Sequence, residues 1–374
     1  MTTRVGSLVF DTTQGLSILA KAFYDHGVVT DVCVVEHGSR PSNRDWYPGK
    51  LRVGDLRSSD SLNLLKGFCL LQDVMLFFET PFLWPLIDYC RSRGVKTVLM
   101  PMYECMPKIL PAQPDLFLCP SLLDLSYYPG EYEYKFRVNP GLKEEILLGY
   151  PSGTVTMDSG KVLRKSIYIP VPVEVPWRQR TRAEVFVHNA GHGGLKGRNG
   201  TKELVEALWH VKSKATIVIH TQEFNLEWER KVAEHSGRVD VHYSAGTKDY
   251  TKLWDDGDVF VFPEKFNGLS LPLQEARAAG MLVMGTDRFP MNMWLPRESL
   301  IPARAIRAGC NISPRLNDFD EAVIEPQDLA RHIDEWYGRD ITGYSLQGKR
   351  WAEDNSWEVL GPKYREVLES LVNS

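Results

Sequence analysis

The sequence offers little on which to build metal, disulfide or membrane chemistry. Its six cysteines among 374 residues (Cys33, Cys69, Cys90, Cys105, Cys119, Cys310) form no C-x-x-C pair and no metal-ligand spacing. Most sit in apolar runs, where a thiol acts as a small hydrophobe, so a reducing environment without structural zinc is expected. No apolar stretch approaches the roughly 18 residues of a membrane span. The most hydrophobic run, Val74 to Trp84, is broken by Glu79 and Pro81. The opening MTTRVGSLVFDTTQ has no apolar h-region of about 7–15 residues, so no secretory leader is expected and the reading is cytoplasmic. Lys plus Arg total 44 against 48 Asp plus Glu, and the net charge of −4 gives no global basic field for nucleic acid. Gly-Lys-Ser/Thr is absent, which excludes a P-loop. No fixed period of about 20–50 residues is present, which argues against a solenoid.

What is present is ordinary globular material: 43% hydrophobic and 25% charged residues, with 10 Trp, 15 Tyr and 15 Phe to build cores or line a cleft. Short apolar runs alternate with helical patterns, as parallel β/α construction requires. Strands are expected at Val5–Phe10, Asp31–Glu36, Asp73–Phe78, Lys96–Met102 and Asp115–Cys119. Gly15 stands where the first turn delivers a helix. Pro170, Pro172 and Pro176 then favour an extended connector. The pattern restarts at Glu184–His188, Ala215–His220, Val239–Tyr243, Asp258–Phe262 and Met281–Met284, with a helix over Leu204–His210 and a C′ glycine at Gly280. From Tyr344 to the end the chain is helical by pattern. The expected organisation is two Rossmann-like domains, 1–170 and 171–345, and a C-terminal helical segment, 346–374.

Two stretches are suited to a phosphate ligand. One is Glu264-Lys-Phe-Asn-Gly-Leu-Ser-Leu-Pro-Leu-Gln-Glu275, directly after the strand DVFVFP. A strand, a small-residue turn and a helix start aim backbone N–H groups of Gly268, Leu269, Ser270 and Leu271 at an anion, and the helix dipole adds about half a positive charge. Glu275 is placed to accept from ribose hydroxyls. From spacing alone the stretch also reads as an ordinary βα crossover with a solvated Glu275. The other stretch, His188 to Thr201, carries Gly191, Gly193, Gly194, Gly197 and Gly200 with Lys196 and Arg198. Its glycines allow close backbone approach, and its cations suit a diphosphate. Lys196 occupies the third glycine position of G-x-G-x-x-G, so this is no dinucleotide fingerprint. A flexible surface loop is the alternative.

The second half, roughly 165–345, resembles the donor domain of the family 4 retaining glycosyltransferases, which have the GT-B fold. The resemblance rests on the strand–proline, E-x7-E and E-A-x-A-x-G pattern, here DVFVFPEKFNGLSLPLQEARAAG. It implies an α/β architecture of two Rossmann-like domains with parallel sheets facing a cleft, and a C-terminal helix crossing back to the first domain. It implies transfer of a sugar from a nucleotide sugar, foremost a UDP-sugar, to an acceptor hydroxyl with retention. The nucleotide sugar is a co-substrate, and neither cofactor nor metal is required. Glu275 matches the ribose-binding second Glu. Asn267 stands where the family has its first Glu, which contacts the donor sugar, and Glu264 lies three residues early. Lys196 and Arg198 stand in for the diphosphate clamp. In the first domain, Glu79 ends a strand where open α/β sheets bind ligands. Glu79 and Asn267 are therefore the catalytic candidates, with Asp11 and Glu104 at similar strand ends. His188, His192 and His220 lie near the donor cleft by topology, where a histidine is more often structural than catalytic. Asp256-Gly-Asp258 and Asp318-Phe-Asp320 match a D-x-D metal pattern formally and read as solvated acids.

Acceptor-side candidates are Gly15, Arg40, Arg44 and Trp46. The last three lie in His37–Arg57, where Lys50, Arg52, Arg57 and Tyr47 add further cations and a second aromatic. Cations interleaved with aromatics suit an anionic polymer, including DNA with a hydroxylated base, a phage-type modification that needs base flipping in a duplex. A solvated loop is the alternative reading. A second basic cluster is Arg178, Arg180 and Arg182. Two other functions stay open at this level: a nucleotide-sugar epimerase or phosphorylase on the same fold, or a non-catalytic module binding nucleotide sugar or nucleic acid. The oligomeric state has no signal in the sequence.

Overall fold

The computed structural model describes residues 3–12, 15–36, 42–54, 56, 58–127, 152–156, 162–191, 197–221, 234, 239–243 and 250–373, with the backbone alone at 152–156, 162–165, 239–243, 250 and 251. The chain divides into two compact units. Unit 1 comprises Met1–Pro172, Asn311–Asn317 and Trp357–Ser374, and unit 2 comprises Val173–Cys310 and Asp318–Ser356.

Unit 1 runs β1 (Val5–Val9), α1 (Gly15–Asp25), β2 (Asp31–Val35), β3 (Leu51–Val53), α2 (Ser59–Leu70), β4 (Val74–Glu79), α3 (Pro85–Ser92), β5 (Lys96–Pro101), β6 (Leu116–Cys119), α4 (Leu122–Tyr127), β7 (Ser152–Thr156) and β8 (Val162–Tyr168). The eight strands form one sheet in the order β3-β2-β1-β4-β5-β6-β8-β7, parallel except where β7 runs antiparallel to β8. β1 is buried at all five positions and β4 at its first five, as strands covered on both faces require.

Unit 2 runs β9 (Val185–Gly191), α5 (Thr201–Ala207), β10 (Thr216–Thr221), β11 (Val239–Tyr243), β12 (Val259–Phe262), α6 (Leu271–Ala278), β13 (Leu282–Thr286), β14 (Leu300–Ile301), a hairpin of β15 (Ala305–Cys310) and β16 (Phe319–Val323), α7 (Pro326–Trp336) and α8 (Thr342–Asp354). Its parallel sheet is ordered β11-β10-β9-β12-β13-β14. The first six places of the unit 1 sheet follow the same pattern. Each sheet thus has a topological switch point, β1/β4 in unit 1 and β9/β12 in unit 2, where open α/β sheets bind ligands beyond the carboxyl ends of their strands. Alternate residues of β9 and β12 feed two cores. Phe186, Val259 and Val261 pack with Leu204, Leu329 and Trp336 on one face. Val187, Phe260 and Phe262 pack with Leu273, Trp254 and Leu295 on the other.

The C-terminal segment expected as one helical piece is two helices. α8 lies in unit 2, while α9 (Trp357–Val372) belongs to unit 1. There Phe23 meets Trp357 and Tyr364 edge-on at 5.1 and 4.8 Å, the Tyr364 hydroxyl donates to the Ile169 carbonyl at 3.1 Å, and Arg365 donates to the His26 carbonyl at 3.2 Å. Burying side chains of this size contributes about 1.5–3 kcal/mol each. The segment His37–Arg57, expected as a loop, contains β3, a three-residue edge strand too short to show a period. The β15/β16 hairpin gave no signal either, because β15 is exposed at five of its six positions and has no apolar alternation. Among the described residues no helix is long and apolar enough to cross a membrane.

Candidate functional site

The switch point of unit 2 holds the most built site. β12 ends at Phe262, and 263–270 leads into α6, whose first turn carries Pro272 and therefore one backbone donor fewer. Asn267 Oδ1 accepts the Ser270 N–H at 2.6 Å, and Gln274 Nε2 donates to the Leu269 carbonyl at 2.6 Å. Ser270 is forced left-handed, at φ 53. Such backbone in a non-glycine residue costs about 1–3 kcal/mol and persists where its surroundings impose it. The Ser270 side chain is fully buried, and its hydroxyl has no hydrogen-bond partner among the described residues.

The loop before α5 is tied to this one. The Lys265 N–H donates to the Arg198 carbonyl at 2.8 Å, and Lys265 Nζ pairs with Glu203 at 2.6 Å. Arg198 Nε stands 3.6 Å from Glu264. Phe266 stacks on Phe319 at 4.2 Å, with the Arg198 and Arg288 guanidiniums 5.6 and 4.8 Å from its ring centre. Gly200 has φ +74, and a Cβ there would overlap the Pro263 carbonyl, so only glycine lets the two loops approach. Gly268 and Leu269 are buried, while Glu275 is half-buried in α6. Gly193, Gly194, Lys196 and His192 lie outside the described residues. Arg288, which sequence reasoning passed over, donates to the Lys265 carbonyl at 2.7 Å. Its signal was its place two residues beyond β13.

His188 is buried beneath this edge. Its Nδ1 faces the Val261 carbonyl at 2.9 Å and Nε2 faces the Thr201 hydroxyl at 2.7 Å. A carbonyl only accepts, so Nδ1 carries the proton and Nε2 accepts from Thr201. Burial pushes its pKa down to about 4, and the neutral ring joins β9, β12 and α5 as a structural element. His220 lies 3.4 Å from Asp256. The formal metal pair Asp256/Asp258 sits at the amino edge of β12, where Asp258 accepts the N–H groups of Glu184 and Val185 at 3.2 and 3.0 Å. Among the described residues no group of three or more His, Cys, Asp and Glu is placed to hold a metal.

In unit 1 the switch point is flanked by Asp11 and Glu79. Glu79 closes β4 with φ 63; it and Ser270 are the two left-handed non-glycine residues among those described. Its carboxylate accepts from the Cys105 thiol at 2.9 Å. Gly15 opens α1, as expected. Asp11 is buried and accepts from Ser42 at 2.5 Å and Arg52 at 2.7 Å. Burial pushes its carboxyl up, but these two donors outweigh that and hold the pKa below its ordinary value. Glu104 is wholly buried.

Part of the basic-aromatic pattern is engaged within unit 1. Arg52 pairs with Asp11, Lys50 with Asp31 at 2.7 Å, and Arg44 stands 3.8 Å from Glu36. Tyr47 is buried, Trp46 half-buried in a single 3-10 turn, and Arg40 outside the described residues. The cluster after the linker is structural too. Arg180 is buried and donates to the carbonyls of Ala279, Arg178 and Trp254, with burial pushing its pKa down to about 10. Arg178 donates to the Gly257 carbonyl at 3.1 Å and Arg182 to the Gly338 carbonyl at 3.2 Å.

No protein-family model matches the sequence, and no curated protein matches it. Solved structures do. Anabaena HepE in complex with UDP and glucose aligns with TM-score 0.60 at 10% identity, over 98% of this chain and 100% of that one. Sucrose-phosphate synthase from Thermosynechococcus elongatus aligns with TM-score 0.56 at 12% identity, over 98% and 100%. The pneumococcal O-GlcNAc transferase GtfA in complex with UDP and GlcNAc aligns with TM-score 0.53 at 12% identity, over 84% of this chain and 60% of that one. At such identities the likeness is one of fold, and the fold of this chain is that of the GT-B glycosyltransferases.

Proposed function

We propose that this protein is a glycosyltransferase of the family 4 type, moving a sugar from a UDP-sugar to an acceptor hydroxyl with retention. The observation that carries the reading is the strand–loop–helix at the unit 2 switch point, where Ser270 is held left-handed at the head of α6 with its hydroxyl buried and without a hydrogen-bond partner among the described residues. UDP, UDP-glucose and GlcNAc in the structures of HepE and GtfA support the choice of donor.

As the bond from the anomeric carbon to the diphosphate breaks, negative charge grows on the leaving oxygens. In this reading the N–H groups of the first turn of α6, the Ser270 hydroxyl and the cations Arg198 and Lys196 meet that charge. Gly193, Gly194 and Gly268 allow the backbone to approach the phosphates. Glu275 accepts from the ribose hydroxyls. Asn267 acts as a positioning residue, since its carbonyl oxygen holds the Ser270 N–H. In unit 1, Glu79 is the candidate for orienting the acceptor hydroxyl.

The test is nucleoside-diphosphate release from UDP-, GDP- and ADP-sugars, with glycans and hydroxymethylated DNA as acceptors. UDP release from a UDP-sugar is expected, and stimulation by one acceptor names its class. A protein that binds no nucleoside diphosphate by calorimetry lacks the donor site and overturns the reading.

A further inference from the structure

Unit 1 contains a pocket of about 380 Å³ at the carboxyl end of β5. We propose that it is an acceptor subsite for a neutral sugar ring, so that the acceptor is a glycan. The pocket's lining includes Tyr103, Lys108, Ile109, Gln113, Tyr127 and Asn317. The inference rests on the transferase reading in making the bound sugar an acceptor.

The chemistry of the lining matches a pyranose. A sugar ring presents an apolar face of C–H groups and a rim of hydroxyls that both donate and accept. Tyr103 and Tyr127 stack on each other, ring centres 3.6 Å apart and planes 19° from parallel. The stacked pair gives the pocket an aromatic wall. Amides, which also donate and accept, stand around it. Gln113 Oε1 is buried and has no hydrogen-bond partner among the described residues, so it is placed to accept from a hydroxyl. Asn317 is fixed by donating Nδ2 to the Tyr103 carbonyl at 3.0 Å and its N–H to the Met106 carbonyl at 2.9 Å. The segment carrying it joins β15 to β16, and the Lys108 N–H donates to the Arg315 carbonyl at 3.3 Å within the same patch. At the rim, Ile109 is 84% exposed in a protein that buries most of its large apolar side chains. The volume falls within the roughly 300–1,000 Å³ of small-ligand sites.

A flipped nucleobase is the competing occupant. It calls for a planar clamp on both faces and a cationic track for the backbone. The two rings stack on each other at 3.6 Å rather than standing apart to clamp a base between them, and Lys50 and Arg52 pair with Asp31 and Asp11. The sugar therefore fits better.

The test is saturation-transfer NMR on the full chain with cellobiose, di-N-acetylchitobiose and a thymidine dinucleotide as probes, alongside UDP calorimetry. Ring protons of at least one disaccharide should receive saturation. Tyr127→Ala and, separately, Ile109→Glu should weaken that disaccharide about tenfold, with UDP affinity changed by less than about twofold. Ile109 is so exposed that its variant keeps the fold even where Tyr127→Ala does not. Transfer to the dinucleotide alone, to neither disaccharide, or undiminished in Ile109→Glu overturns the pocket assignment. Disaccharide binding without UDP binding leaves the sugar pocket standing and overturns the transferase reading instead.

Discussion

His188 sets a stability slope that can be worked out from its surroundings. Its folded pKa is pushed down to about 4 by burial, against an ordinary value of 6.5. A depressed histidine binds fewer protons folded than unfolded, so its contribution is present above the unfolded pKa and lost as pH falls from 6.5 towards 4. At about 1.36 kcal/mol per unit, acidification to pH 4 costs about 3 kcal/mol through this one ring. The perturbation is His188→Gln, whose amide can donate to the Val261 carbonyl and accept from Thr201 but does not titrate. The assay is hydrogen exchange of the β9 and β12 amides at steps between pH 7 and pH 4, with intrinsic exchange rates factored out, so that unit 2 is read separately. Carboxylates elsewhere contribute equally to both proteins and cancel in the difference. The parent should lose about 3 kcal/mol relative to the variant across this window. A parent–variant difference that stays flat from pH 7 to pH 4 would refute a neutral, doubly bonded His188.

Other expectations concern the site and its supports. Glu275→Ala should weaken UDP binding by about 1–3 kcal/mol, the scale of a lost charge-assisted hydrogen bond, and unchanged affinity by calorimetry removes it from the ribose role. Replacing Lys196 and Arg198 by Ala should lower turnover more than stability, and a fall in Tm large enough to account for the lost activity makes that loop structural instead. Gly200→Ala should destabilise unit 2 by about 2 kcal/mol or more, from left-handed backbone and the overlap with Pro263; an unchanged urea midpoint would contradict the described approach of the two loops. Asp124 has the opposite pH sign to His188. Burial first, then the nearby Glu104, raises its carboxyl from 3.8 to about 8, so its contribution is present below 3.8 and lost as pH rises through 8. Asp124→Asn should flatten unit 1 stability over that window, and an unaltered slope would mean the carboxyl is ionised in the folded protein.

The sequence by itself determined the local grammar of this protein. Apolar runs of four to seven residues between helical patterns specify parallel β/α units, because a strand buried on both faces needs continuous apolar side chains. The prolines at 170, 172 and 176 mark where one unit gives way to the next, since a fixed φ and a missing N–H oppose regular structure. The stretch from Asp258 to Gly280 announced a strand–loop–helix from its spacing alone. Tertiary structure decided what spacing cannot express. Asp11 lies 41 residues from Arg52, His188 13 from Thr201, and Arg180 99 from Ala279, yet each pair is bonded. Arg52 and Arg180, which look available to a polyanion in the sequence, are therefore bound to the fold, and a histidine beside the site is held neutral. Ser270 reads as an ordinary turn residue in the chain. Its left-handed backbone and sequestered hydroxyl exist because Asn267 and Gln274 close on the loop from either side, a constraint that only the folded packing imposes.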